Sequence, residues 1–275
     1  MNIRILTLAT LLGTALHGGA IAQQGVSLAT GLTDFTQWTL LGSAQASNTT
    51  PGNGFTYSNL MLTAPGTGGQ GGAGFAPTAL TMDFNQAFSF DFHFFIPVST
   101  DLRGDGLTFT LAGTPALGGA GSGLGYDGLG SDSVAFAIDT FHFDDEPVSP
   151  SLQILAGGSV TPLAATETGL GDSIRDPNFQ WLAVVNYQPS GNDDLAGTLT
   201  GTISHINLGS FSVGAAVDFS GLAGAPVYYG FTAANGAATD GHFVTSAMPI
   251  PEPHAGLLML CGGLLLAAWA RRRLD

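Results

Sequence analysis

The chain has 275 residues and a formal net charge of −14, long enough to bury one sizeable core. Glycine supplies 41 residues, roughly twice the usual share; with 44% hydrophobic residues and no period of three, neither a disordered chain nor a collagen-like helix fits. Lysine is absent, and between residues 23 and 250 only Arg103 and Arg175 face 18 acidic residues, which excludes a phosphate-gripping surface and nucleic acid as a partner.

At the start, residues 1–4 are short and positive, residues 5–16 are apolar, and Ala20-Ile21-Ala22 offers a small-x-small cleavage site. That order predicts a helical secretory signal over 1–22, removed by signal peptidase; a short buried helix is the alternative. The body, 23–248, alternates short apolar runs with turns rich in Gly, Pro, Asn and Asp. In Phe88-Ser89-Phe90-Asp91-Phe92-His93-Phe94 every second residue is Phe, the period of a strand with one buried face. Further strands are expected over 107–111, 134–140, 151–155, 181–187, 195–202, 211–219 and 227–232, with 66–74 as a flexible glycine loop. Capped helical spacing is absent from the body, so a single all-β sandwich or barrel follows. Trp38 and Trp181 are expected inside it.

The tail, 249–275, reads Pro251-Glu252-Pro253, an apolar run over 254–270, then Arg271, Arg272 and Arg273. Its 17 apolar residues reach roughly 25 Å as a helix, short of a hydrocarbon core near 30 Å unless the arginines snorkel. The arginine cluster should stay cytoplasmic. This tail resembles the PEP-CTERM sorting signal of exopolysaccharide-producing Gram-negative bacteria. The resemblance implies recognition of Pro251, Glu252 and Pro253 by an exosortase, with a transient inner-membrane transmembrane helix and then release or attachment outside; a permanent anchor is the alternative. Cys261, the lone cysteine, lies in this tail, so the exported body has no disulfide and relies on its core.

Five segments of the body, in order, carry a second resemblance. They are Asp34-Phe35-Thr36-Gln37-Trp38 with Leu60-Met61-Leu62-Thr63; Gly104-Asp105-Gly106-Leu107-Thr108-Phe109; Gly121-Ser122-Gly123-Leu124-Gly125-Tyr126; Ser133 through Phe141; and Val227-Tyr228-Tyr229-Gly230-Phe231-Thr232-Ala233-Ala234-Asn235-Gly236 with His242. Together they resemble the legume-type (L-type) lectins. The likeness implies a concanavalin A-like jelly roll with a sugar site in loops at one edge of its front sheet. It implies that Asp105 accepts hydrogen bonds from two sugar hydroxyls, next to a cis peptide at Gly104. A backbone N–H of the loop holding Gly121, Gly123 and Gly125 would donate to the sugar, and Phe141 would stack on it, with Tyr126 and Phe143 clustered nearby. The loop over 233–240 corresponds to the one that sets sugar preference. Without the resemblance, Asp105 is an Asp in a tight turn. The glycine run itself matches neither a stacked calcium nonapeptide nor a phosphate-binding loop.

The family's metal shell is where the likeness thins. Asp139 and Phe141 stand at matching positions, but Ala137 replaces the carboxylate that binds the transition metal, Phe143 replaces the Asn that binds calcium and sugar, and the strand Ser151-Leu152-Gln153-Ile154 lacks the family's His. Divalent ions need several oxygen or nitrogen ligands, so Mn2+ is not expected. Ca2+ is conceivable on a re-formed set of Asp139, Asp144 and Asp145, with Glu146 beside them; otherwise that acidic run is a solvated loop and Asp139 is satisfied by its neighbours.

An enzyme is not expected. Retaining glycoside hydrolysis needs two carboxyl groups about 5 Å apart, and the body has only Glu146 and Glu167 as glutamates, outside any alternating acidic array. The expected function is a secreted or cell-surface carbohydrate-binding protein whose partner is a polysaccharide or surface glycan. The alternatives are a non-binding structural component of the exopolysaccharide matrix and, behind it, a hydrolase using Asp residues.

Overall fold

The structure, a computed structural model, describes residues 26–29, 33–50, 56–99, 101–176, 181–191 and 195–246. The signal segment 1–22 and the tail 249–275, with Pro251, Glu252 and Pro253, lie outside the described residues. Among those described, fifteen strands form: β1 (Val26–Ala29), β2 (Thr39–Gly42), β3 (Gln45–Thr49), β4 (Tyr57–Thr63), β5 (Gly71–Phe75), β6 (Phe88–Phe95), β7 (Gly106–Ala112), β8 (Ser133–Asp139), β9 (Ser151–Ala156), β10 (Ser159–Glu167), β11 (Trp181–Pro189), β12 (Ala196–His205), β13 (Gly209–Asp218), β14 (Tyr228–Ala234) and β15 (His242–Thr245). The only helical elements among them are three short 3-10 turns.

One sheet runs β13-β12-β11-β6-β15-β4-β3, and the other β10-β9-β8-β7-β14-β5-β2. All pairings are antiparallel except that of β1, which lies parallel to the first half of β6 while β15 pairs with its second half. Alternation decides which side faces in. Phe88, Phe90, Phe92 and Phe94 of β6 are buried, as are Trp181, Ala183, Val185 and Tyr187 of β11. They meet rings from the opposing sheet: Phe90 lies 4.8 Å from Phe109, and Phe92 4.8 Å from Phe231. Trp38 stacks on Phe231 at 5.8 Å, and Trp181 on Phe94 at 6.2 Å, so both tryptophans pack in the sandwich.

β7 and β8 are buried on both faces. The outer side of β8 and its neighbour β9 is covered by the connection between β7 and β8, where Leu124 and Tyr126 pack on Ala135, Ala137 and Leu155. This corrects the expectation for Tyr126: the ring is fully buried, and its hydroxyl accepts from Gly158 N–H at 3.3 Å and Ser133 Oγ at 3.1 Å. Two further expectations change. Residues 71–74 are not loop but strand β5, because a Cβ on Gly72 would stand 2.0 Å from the Leu62 carbonyl oxygen of the opposing sheet, and only glycine permits that approach. The strand starting at Ser151 continues through a Gly157-Gly158 turn into β10, a hairpin partner that sequence reasoning omitted.

Gly201 of β12 makes the same kind of demand, since a Cβ there would lie 2.1 Å from the Phe136 ring of β8. Gly201→Ala is therefore expected to lower stability by about 1–3 kcal/mol in urea unfolding. Phe136→Leu in the same chain should recover part of that loss, and a double-mutant cycle would show the coupling.

Candidate functional site

Antiparallel register brings the candidate loops together. Gly106 at the start of β7 pairs with Asp139 at the end of β8 and with Ala234 at the end of β14. The loops attached to those three ends therefore share one rim of the seven-stranded sheet. There they enclose a pocket of about 290 Å³ lined by Asp105, Gly121, Ser122, Phe141, Phe143 and residues 236–238.

Asp105 forms its floor. Its backbone is tied down: its N–H donates to Ala234 O at 3.1 Å, and its carbonyl accepts from the Thr140 N–H at 2.8 Å and hydroxyl at 3.1 Å. The Gly104–Asp105 peptide is cis. The residue is only 5% exposed, yet its Oδ2 has no hydrogen-bond partner. Gly236 brings bare backbone beside that oxygen; a Cβ there would stand 3.2 Å from it. Burial, reinforced by Glu146, pushes the Asp105 carboxyl up to about 6.

The body's two arginines both lie beside this rim. Arg103 donates through Nε to Thr140 O at 3.1 Å and through Nη2 to Ser149 O at 3.4 Å, and it pairs with Asp172 at 2.9 Å. Arg175, buried, reaches the same Asp172 oxygen at 2.8 Å and Asp240 at 3.4 Å. Asp240 in turn accepts from Gly104 N–H at 3.3 Å. The chain of charges thus fastens the Asp105 loop, the loop after β8 and the loop after β14 to one another. His242 of β15 is fully buried away from solvent, with Nδ1 2.7 Å from the Thr63 hydroxyl, and burial pushes its pKa down to about 3, so it stays neutral.

Asp139 is also buried, but its oxygens are engaged. Oδ1 accepts from Phe141 N–H at 3.0 Å and Ser149 Oγ at 3.2 Å, and Oδ2 accepts from Gln153 Nε2 at 2.8 Å. Burial, opposed by the Phe141 N–H and reinforced by Glu146, pushes this carboxyl up to about 7. Asp144 and Asp145 lie exposed in the turn beyond and line a neighbouring pocket with Phe143, Glu146 and residues 160–162. Among the described residues no three His, Cys, Asp or Glu side chains converge to hold a metal ion. The expected set of Asp139, Asp144 and Asp145 is not assembled among the described residues: Asp139 already accepts from three protein donors, and it does not converge with the exposed Asp144 and Asp145. The donor chemistry here does not fit the two-metal shell that the resemblance implies.

Of the sugar-site residues expected from sequence, Asp105, Gly121 and Phe141 line the pocket, with Phe143 as a partly exposed wall. Gly123 and Gly125 do not: their N–H groups donate to Ala120 O at 3.2 Å and Gly119 O at 2.8 Å and close the turn on itself. Ser122, Ala237 and Ala238 also line the pocket and carry no sequence signal of their own, although Ala237 and Ala238 fall in 233–240, which the resemblance aligns with a specificity loop. Arg103 and Arg175 were visible there only as the body's sole cations.

No family model matches this sequence, and no curated protein does. Solved structures with the same fold exist. A lectin from Bauhinia forficata, in complex with GalNAc, is 19% identical with a TM-score of 0.61, covering 78% of this chain and 93% of that one. Basic winged bean lectin with Tn-antigen is 24% identical, TM-score 0.59, over 77% and 93%. Arcelin-5, a lectin-like defense protein from Phaseolus vulgaris, is 20% identical, TM-score 0.57, over 76% and 89%. At these identities the likeness establishes the fold: an all-β, lectin-like jelly roll.

Because the fold raises the Asp105 pKa from 3.8 to about 6, the folded state holds this proton more tightly than the unfolded chain. Its stabilising share is full below about pH 4 and is lost as pH rises through about 6, a swing of about 3 kcal/mol. Asp105→Asn is expected to flatten the fall in melting temperature across that window and to melt above the wild type at neutral pH, read by circular dichroism.

Proposed function

We propose that this chain is a carbohydrate-binding, lectin-like protein that takes a polysaccharide or surface glycan into the Asp105 pocket. The observation that carries this reading is the buried, unpartnered Asp105 Oδ2 at the floor of a pocket walled by Phe141 and Phe143. Leaving such an oxygen without a donor is costly, and vicinal hydroxyls are the donors a carboxylate accepts with short, charge-assisted bonds. The apolar C–H face of a pyranose suits the two phenyl rings. The same fold holds GalNAc in the Bauhinia lectin. We further propose export by the signal segment and signal peptidase, then passage through an exosortase that reads Pro251, Glu252 and Pro253, to the outside or surface of a Gram-negative cell.

A second reading, a structural matrix protein on the same sandwich, draws support from Ala137 and Phe143 at the positions where the resemblance expects ligands. Glycan-array binding by the full chain separates the two. Wild-type protein is expected to bind, and Asp105→Ala to lose at least about tenfold in affinity, the worth of one charge-assisted hydrogen bond. Binding should also weaken below about pH 6, where Asp105 takes up its proton. No binding to any glycan would favour the structural reading.

A further inference from the structure

The loop over 141–149 carries Phe141 and Phe143, and its fastening is unusual for what the resemblance implies. Both of its ends meet one oxygen: Asp139 Oδ1 accepts from the Phe141 N–H and from the Ser149 hydroxyl. The other oxygen accepts from Gln153 Nε2, which also donates to Ser151 Oγ at 3.0 Å and so is held by its own strand. Backbone carbonyls flanking the loop, which are cation ligands by type, are likewise taken. Arg103 Nε binds Thr140 O and its Nη2 binds Ser149 O. The Asp139 carboxylate and the Thr140 and Ser149 carbonyls, which could offer lone pairs to a divalent ion, instead each accept from a protein donor, and the positive charge comes from a guanidinium.

We infer that Arg103 and Gln153 take the place of a divalent cation, clamping the 141–149 loop through the Thr140 and Ser149 carbonyls and the Asp139 carboxylate, so that the loop is held without metal. Arg103 supplies the charge, its planar fork donating to one carbonyl at each end of the loop. Gln153 supplies the directed donor to the buried carboxylate. Both are positioning residues: neither lines the pocket, and each acts on Phe141 and Phe143 through the loop ends. The inference concerns the loop alone and stands apart from the glycan reading.

Hydrogen exchange on the full chain, without any glycan, tests it. In the wild type, amide exchange across 141–149 and the melting temperature are expected to be the same after dialysis against EDTA and after addition of excess CaCl2 or MnCl2. Gln153→Met keeps the volume but removes the donor, and Arg103→Met removes the charge. Each is expected to speed exchange of the Phe141 amide at least about tenfold, the loss of one hydrogen bond to a charged group, while amides of β11 and β12 keep their rates. A rise in melting temperature with either ion, a chelator-induced loss of protection in the loop, or wild-type loop exchange in the Met variants would overturn the inference. Should a variant fail to fold, the wild-type chelator and ion comparisons decide alone. A negative glycan array with these results intact would overturn only the carbohydrate reading.

Discussion

The packing of the β6 phenyl rings against Phe109 and Phe231 governs the rest of the molecule. Those two rings belong to β7 and β14, the strands whose ends carry the Asp105 loop and the 236–238 loop. Each buried ring contributes about 1.5–3 kcal/mol from removing its surface from water, and the edge-to-face contact of Phe92 with Phe231 adds to it. The body has no cysteine, so no covalent link shares this task. A shift of one sheet over the other would move β7 and β14 together and misalign both loops with the end of β8.

The rim built on that core is electrically lopsided. Asp105, Asp139 and Glu146 all have pKa values raised chiefly by burial, while Asp172 is held below the ordinary carboxylate range by Arg103 and Arg175. A body with only two cations has placed both under one set of loops. Their contribution there is geometric as well as electrostatic: four backbone carbonyls, those of Asp101, Leu102, Thr140 and Ser149, accept from the two guanidinium groups. The Asp105 oxygen stays unpaired while the loops around it are tied to one another, an arrangement that concentrates the energetic cost on a single oxygen at the pocket.

Much of this was legible in the chain. The Phe alternation of β6 reads directly as a one-faced strand, and β8 and β11 match their apolar runs within two residues at each end. Asp105, Gly121 and Phe141, which line one pocket, stood out because the segments that carry the resemblance are local. What escaped depends on partners distant in sequence. β5 looked like a loop because its Gly72 and Gly74 answer to Leu62 and Leu60 across the sandwich, a constraint absent from its own composition. Tyr126, expected beside the sugar site, is instead buried, because nothing near it in sequence foretells the cover over β8 and β9. The spent N–H groups of Gly123 and Gly125 depend on how a turn closes on itself, and the roles of Arg103 and Arg175 depend on loops that only the fold brings together.

The strand order also sets a timetable. β14 lies between β5 and β7, and β15 between β4 and β6, so each sheet has an interior slot filled only by residues 228–245. A growing chain that has produced the first 227 residues holds two half-sheets with open inner edges, and its closing contacts span most of its length. Folding of this kind is dominated by distant pairings and is slow. The molecule completes itself from its far end, and a nascent chain interrupted before β14 would expose the aggregation-prone edges of both sheets at once.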